Sequence, residues 1–115
     1  MRKLIVTIIL MASSSGAVSQ VTYMNGLGLL EFCESDEKAQ AGTCIGYLFG
    51  VIDLMKALKG ANVFKKYYFC VPNGVTGEQL RGVTIKYLKN NPEKLQADGS
   101  SLIFTAFGEV FPCEK

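Results

Sequence analysis

Histidine is absent from this chain of 115 residues. It is the side chain that most often acts as a general base near neutral pH, and its imidazole is the commonest metal ligand in proteins. Its absence also excludes the Ser–His and Cys–His pairs that activate nucleophiles in many hydrolases. The composition therefore argues against catalysis, and we expect no enzymatic activity.

Motifs that bind metals or cofactors are also missing. The four cysteines include no Cys-x-x-Cys pair, the spacing typical of zinc sites and of thioredoxin-like redox centres. Gly26-Leu27-Gly28 lacks the third glycine of a dinucleotide-binding loop. We predict neither a metal nor a cofactor, and we expect two structural disulfides. The cysteines available for them are Cys33, Cys44, Cys70 and Cys113.

The N-terminal residues show the three regions of a secretory signal peptide. Arg2 and Lys3 precede an apolar run up to Ala12, which small and polar residues follow up to Ser19. The apolar run has about nine residues, well short of the roughly 20 that a membrane-spanning helix requires. We therefore expect residues 1–19 to be removed on export, which leaves residues 20–115 as one domain without a membrane anchor in an oxidising compartment. A membrane anchor retained at the N-terminus is the alternative.

Strong net charge is missing from this exported domain. Removal of residues 1–19 takes away Arg2 and Lys3, so the Lys and Arg count falls from 12 to 10 and equals the 10 acidic residues. Binding to nucleic acid or to anionic lipid requires clustered positive charge, so neither partner is expected. The exported domain has 96 residues (115 − 19). A domain of this size buries a small core, so disulfides are expected to add substantially to its stability.

Apolar residues at helical spacing predict an all-α bundle of about four helices. The segment from Gly60 to Val75 has no sustained period and is expected to be an ordered loop. A small loop-rich fold with a hairpin in that segment is the alternative. The predicted helices are Asn25–Ser35, Thr43–Lys59, one that begins at the capping box Thr76-Gly77-Glu78-Gln79, and one from Pro92 to Phe111.

One side of the second predicted helix carries the smallest side chains. Gly42, Gly46, Gly50, Asp53 and Ala57 follow helical spacing there. Glycine in a helix interior costs about 1 kcal/mol relative to alanine, so we expect this stripe to pack closely against a neighbouring backbone. Asp53 is then expected to be a buried structural acid that bonds a backbone group or a tyrosine hydroxyl, and a catalytic or ligand role is the alternative.

Four cysteines can form two disulfides in three different pairings. The helix layout favours one of them, because Cys33 lies near the end of the first helix and Cys44 near the start of the second. A bridge between these two would fasten a helical hairpin, and Cys70 would then pair with Cys113.

The segment Phe64–Phe69 is the strongest candidate for a partner-binding surface. It holds four aromatic residues and two lysines, a composition typical of interface anchors. The alternative is that Phe64, Tyr68 and Phe69 cover the junction between the second and third helices while the lysines are solvated. The polar turn from Glu34 to Gln40 is a second candidate, although its carboxylates are explained by ordinary solvation. The residues proposed to bind a partner are Phe64, Lys65, Lys66, Tyr67 and Tyr68.

Several segments taken together resemble a known family. They are Leu29–Cys33, Cys44–Asp53, Cys70–Pro72, Val75–Leu80, Tyr87–Glu93 and Ala106–Cys113. In these segments the chain resembles the small periplasmic immunity proteins that protect bacteria from peptidoglycan amidase effectors of type VI secretion. The resemblance implies an all-helical, disulfide-bonded protein, often a homodimer, that blocks the active-site cleft of a cognate amidase in the periplasm. A periplasmic stress chaperone, or another exported interaction domain, is the alternative function.

Overall fold

The computed structural model describes residues 23–114, and the predicted all-α, disulfide-bonded bundle of four helices is confirmed. No strand occurs in this range, so the alternative with a hairpin between Gly60 and Val75 is wrong. The predicted signal peptide, residues 1–19, lies outside the described residues. The elements are α1 (Gly26–Glu34), α2 (Lys38–Gly60), α3 (Gly77–Asn90), a 3-10 turn (Pro92–Lys94) and α4 (Gly99–Val110).

A short turn joins α1 to α2 and makes them a helical hairpin. In this turn the Glu37 N–H donates a hydrogen bond to Ser35 Oγ at 3.1 Å. The second helix begins at Lys38, earlier than the predicted start at Thr43. The extension is explained by Ala39–Ala41, which favour helix and contain neither glycine nor proline.

The third helix begins at the predicted capping box. The Gln79 N–H donates to Thr76 Oγ1 at 3.2 Å, and the Thr76 N–H donates to Gln79 Oε1 at 2.8 Å. Two otherwise unpaired donors at the helix start are thereby satisfied. The buried face of α3 consists of Leu80, Thr84 and Leu88.

The last predicted helix, from Pro92 to Phe111, is wrong in its first part. Pro92 opens only a 3-10 turn, and α4 begins at Gly99. Asn91, the expected N-cap, instead donates from Nδ2 to the Tyr87 carbonyl at 2.8 Å. Its side chain therefore completes the end of α3 and is not available to cap a following helix.

The segment between the 3-10 turn and α4 is held by the start of α1. The Gly26 N–H donates to the Ala97 carbonyl at 3.0 Å, and the Gly99 N–H donates to the Met24 carbonyl at 2.8 Å. A Cβ at Gly26 would lie 2.5 Å from the Leu102 side chain, so only glycine fits this approach without a shift. These backbone bonds hold the segment in a non-helical turn, and α4 begins only after it.

A single apolar core forms where the four helices meet. The aromatic rings in it make edge contacts, such as Phe69 with Phe107 at 5.4 Å between ring centroids. Such contacts fix ring orientations more firmly than aliphatic packing does. The buried apolar residues are Leu29, Cys33, Cys44, Leu48, Val51, Ile52, Met55, Phe69, Leu80, Leu88, Leu102, Ile103, Ala106 and Phe107.

The glycine stripe of α2 does not pack as expected. Gly46 and Gly50 are exposed, and a Cβ added at either would meet nothing within 4 Å. Asp53 is also exposed, so the prediction of a buried structural acid is wrong. The reason is that α2 turns its opposite side, with Leu48 and Ile52, toward the core. The side with the smallest residues therefore forms an outer surface of the domain.

The same helix is long and apolar enough to cross a membrane, judged by length and composition alone. Its most apolar window has a mean hydropathy of 1.4, and 28% of that window is buried within the domain. A core helix of a small bundle passes the same test, and α2 carries the bridged Cys44 at the centre of the hairpin. The observation is therefore weak evidence for a membrane, but it does show that α2 exposes apolar surface.

Candidate partner-binding site

The aromatic segment Phe64–Phe69 has a buried part and an exposed part. Phe69 is fully buried. Tyr67 and Tyr68 are each 46% exposed, and Lys65 and Lys66 are exposed as well. Phe64 is half-buried and lies between these two groups. One part of the segment thus anchors it to the core and the other part faces solvent.

Edge contacts between rings fix the anchored part. The Phe69 ring lies 5.3 Å from the Phe104 ring, and the Phe64 ring lies 6.1 Å from it. The Tyr68 ring is 5.7 Å from Phe104 and 5.1 Å from Phe64. Three residues of the loop therefore pack around a single ring of α4, which limits the orientations that Tyr68 can adopt.

Backbone bonds and a disulfide fix the two ends of the loop. At its start, the Val63 N–H and the Phe64 N–H both donate to the Leu58 carbonyl, at 2.9 and 3.1 Å. At its end, the Cys70 N–H donates to the Phe111 carbonyl at 2.8 Å. The segment between these bonds is consequently presented as a defined surface and not as a free loop.

The structure pairs Cys33 with Cys44 and Cys70 with Cys113, which is the pairing that the helix layout favours. The first bridge is completely buried between α1 and α2. The second lies near the surface, where Cys70 is exposed and Cys113 half-buried. The buried bridge therefore holds the core together, and the surface bridge ties the aromatic segment to the C-terminal end of the domain.

Two cavities flank Tyr67. The smaller one has a volume of about 260 Å³ and is largely apolar, with Lys56 at its edge. The larger one, which we call the basic cavity, has a volume of about 530 Å³. Its lining consists of Lys59, Lys66, Tyr67, Tyr68, Gly108, Pro112, Cys113 and Glu114.

Both lysines of the basic cavity lie over tyrosine rings. The Lys59 Nζ is 5.4 Å from the centre of the Tyr67 ring, and the Lys66 Nζ is 5.5 Å from the centre of the Tyr68 ring. An ammonium group within about 6 Å of an aromatic face is attracted to it by about 0.5–1 kcal/mol at an exposed site. The rings thus favour side-chain positions that keep both charges beside the cavity.

The second candidate surface, from Glu34 to Gln40, is an exposed turn followed by the first turn of α2. Glu34 pairs with Lys89 of α3 at 3.3 Å, and both side chains are largely exposed. An exposed pair of this kind adds about 0–1 kcal/mol of stability. Solvation and this contact explain the carboxylates of the described turn, and these carboxylates do not converge on a common binding site.

Two polar anchors were not identified from the sequence. The Arg81 guanidinium donates from Nε to the Cys33 carbonyl at 2.6 Å and from Nη2 to the Ser35 carbonyl at 3.2 Å, which ties α3 to the end of α1. The Tyr47 hydroxyl lies beside Gly99 and Ser100 at the start of α4, and burial raises its pKa above the ordinary value. Arg81 lies away from the apolar stripe of α3 and Tyr47 belongs to an apolar side of α2, so no sequence pattern distinguished either residue.

The geometry defines a small, disulfide-bonded helical protein with an anchored, exposed aromatic and basic surface. Over residues 23–114, no cluster of three or more acidic or cysteine side chains is arranged to hold a metal ion. The model of the Rap1a immunity proteins matches residues 25–113. The chain therefore belongs to the Rap1a immunity protein family. The comparisons with curated proteins and with solved structures each found no match.

Family membership implies an immunity protein that binds a type VI secretion effector, and it suggests a non-catalytic role. The two disulfides fit an oxidising compartment, because such bridges persist outside the reducing cytosol. The match includes α1 through α4 and all four cysteines.

Proposed function

We propose that this protein is exported to the periplasm through residues 1–19 and there inhibits a peptidoglycan amidase effector of type VI secretion. It does so by covering the active-site cleft of the amidase and performs no chemistry itself. Family membership supports the immunity role. The identity of the effector as an amidase follows from the resemblance in the segments around the four cysteines.

The observation that carries the proposal is the way in which Tyr67 and Tyr68 are presented. Both rings are about half exposed, yet the loop that holds them is fixed by ring contacts, backbone bonds and the Cys70–Cys113 bridge. A rigid aromatic side chain loses little conformational entropy when a partner covers it, which favours binding. We therefore assign the partner-binding surface to Phe64, Lys65, Lys66, Tyr67 and Tyr68.

The test uses the purified domain, residues 20–115, and any secreted peptidoglycan amidase that a neighbouring reading frame encodes; if no such amidase is encoded there, the proposed target is wrong. We expect a stable complex and loss of peptidoglycan cleavage. Tyr68→Ala should weaken binding by about 2 kcal/mol, or about 30-fold, because it removes an anchored ring from the centre of the contact. Calorimetry of binding and an amidase assay measure the two effects.

Tyr23→Ala is the matched control, because Tyr23 is 83% exposed and lies outside the aromatic segment. It should bind and inhibit like the unmodified protein. If the unmodified protein does not bind the amidase, the immunity proposal fails. If it binds and Tyr68→Ala binds equally well, the surface has been assigned wrongly.

We also propose that the protein forms a homodimer through the outer side of α2. This side exposes Phe49 (45%) and Leu54 (59%) beside the glycine stripe, and small side chains allow two helices to approach closely. Light scattering should give twice the monomer mass for the unmodified protein. Leu54→Lys should shift it to the monomer mass, whereas Val63→Lys, at a residue that is 64% exposed beyond the end of α2, should not. A monomer mass for the unmodified protein would contradict the proposal.

A further inference from the structure

The basic cavity has a charge pattern that points to the chemistry of its occupant. Among the described residues that line it, Lys59 and Lys66 are the cations and Glu114 is the anion. Within residues 23–114 the ion pairs are Arg81 with Glu78 and Lys89 with Glu34, so neither lysine of the cavity is neutralised by a described partner. The lysines are held over tyrosine rings instead, and their charges face an open space.

We infer that the basic cavity receives an acidic side chain of the effector, whose carboxylate lies between the Lys59 and Lys66 ammonium groups. This inference rests on the proposed function and adds the chemistry of the contact to it. Lys59, at the end of α2, and Lys66, in the aromatic segment, line the same cavity, and each ammonium group can give a charge-assisted hydrogen bond to a carboxylate. The Tyr67 and Tyr68 rings would flank the apolar stem of the incoming side chain.

The size of the cavity and its balance of charge favour a carboxylate on a protein over other anions. A volume of about 530 Å³ lies within the range of about 300–1,000 Å³ typical of ligand-holding pockets, so it admits a short stretch of chain around the acidic residue. A polyanion such as nucleic acid would need a wider basic surface, and Glu114 at the rim would repel it. A single carboxylate engages both lysines with the least repulsion from Glu114.

The experiment measures binding of the neighbouring amidase to variants of the full domain. Lys59→Glu/Lys66→Glu should weaken the complex by about 100-fold, because it replaces attraction with repulsion at the contact. Lys59→Met/Lys66→Met should weaken it about tenfold, and Lys59→Arg/Lys66→Arg should leave affinity within about threefold. Glu114→Gln should change affinity in the opposite direction and tighten the complex about threefold, because a competing carboxylate is removed.

Lys86→Glu/Lys94→Glu is the matched control for charge, since it makes the same change in net charge at two exposed lysines outside the cavity and outside both candidate surfaces. It should bind like the unmodified protein. Thermal unfolding of each variant checks that the fold is kept. The acidic residue itself is found by changing each exposed Asp or Glu of the amidase to Lys, one of which should restore binding to Lys59→Glu/Lys66→Glu.

The outcomes separate the two proposals. No complex with the unmodified protein overturns the immunity function and this inference together. A complex that tolerates Lys59→Glu/Lys66→Glu leaves the immunity function standing and overturns the acidic contact. Equal losses in that variant and in Lys86→Glu/Lys94→Glu also overturn it, because general charge attraction would then explain the effect.

Discussion

Reduction of both disulfides is expected to unfold the domain at room temperature. By the chain-entropy model, closing the loops from Cys33 to Cys44 and from Cys70 to Cys113 stabilises the folded state by about 3 and 4 kcal/mol. The net stability of a domain is about 5–15 kcal/mol, and a domain this small is expected at the lower end. Circular dichroism at the helical minimum, together with a count of free thiols, follows the transition as reductant is added.

The two bridges should differ in their order of reduction, which gives the experiment an internal control. The Cys70–Cys113 bridge is accessible at the surface, whereas Cys33 and Cys44 are fully buried. A thiolate must reach a sulfur atom to open a disulfide, so the surface bridge should open first, before most helicity is lost. Full ellipticity and an unchanged melting temperature with four free thiols would contradict the stabilising role of both bridges.

The helices were predictable from sequence where local chemistry determines them. The capping box fixes the start of α3 at Thr76, and the hydrogen bonds found there are the ones that its two side chains specify. The start of α4 was not predictable, because Pro92 and Asn91 look like a helix start in isolation. Backbone bonds from Gly26 and Gly99 to segments distant in sequence hold that stretch in a non-helical turn, and no local pattern encodes them.

The glycine stripe shows a second limit of sequence reasoning. The spacing of Gly46, Gly50 and Asp53 correctly places them on one side of α2, but spacing alone does not say whether that side faces the core or the solvent. Both sides of this helix contain apolar residues, so the hydrophobic pattern does not indicate which side is buried. The structure buries Leu48 and Ile52 and leaves the stripe outside, where a second protein can cover it.

The assignment of partner binding to Phe64–Tyr68 stays a prediction, and the division of the segment into a buried and an exposed part could not be predicted. Composition singled out Phe64–Phe69, yet adjacent aromatic residues in a loop have no period from which burial can be assigned. In the structure Phe69 is fully buried while Tyr67 and Tyr68 remain 46% exposed. The basic cavity could not be predicted either, because Lys59 belongs to α2, Lys66 belongs to the loop after it, and the rest of the lining includes C-terminal residues around the bridged Cys113.

Phe69→Ala is expected to lower the free energy of unfolding by about 3–5 kcal/mol, the range measured for large-to-small changes of buried aromatic residues. Phe69 is fully buried, and its ring meets Phe104 at 5.3 Å and Phe107 at 5.4 Å, so alanine would leave a cavity between the loop and α4. Urea unfolding followed by circular dichroism measures the change. Tyr67→Ala removes a half-exposed ring from the same segment, so it should lower the free energy of unfolding by less than about 1 kcal/mol.

The contrast between these two variants tests how the binding surface is built. If Phe69 anchors the segment, its loss should also weaken amidase binding although Phe69 itself is inaccessible to a partner, because Tyr67 and Tyr68 would no longer be held in place. Tyr67→Ala should weaken binding with little loss of stability. Equal stability losses in the two variants would mean that the segment is not divided into an anchored and a presented part, and a rigid aromatic surface could then no longer be the basis of partner binding.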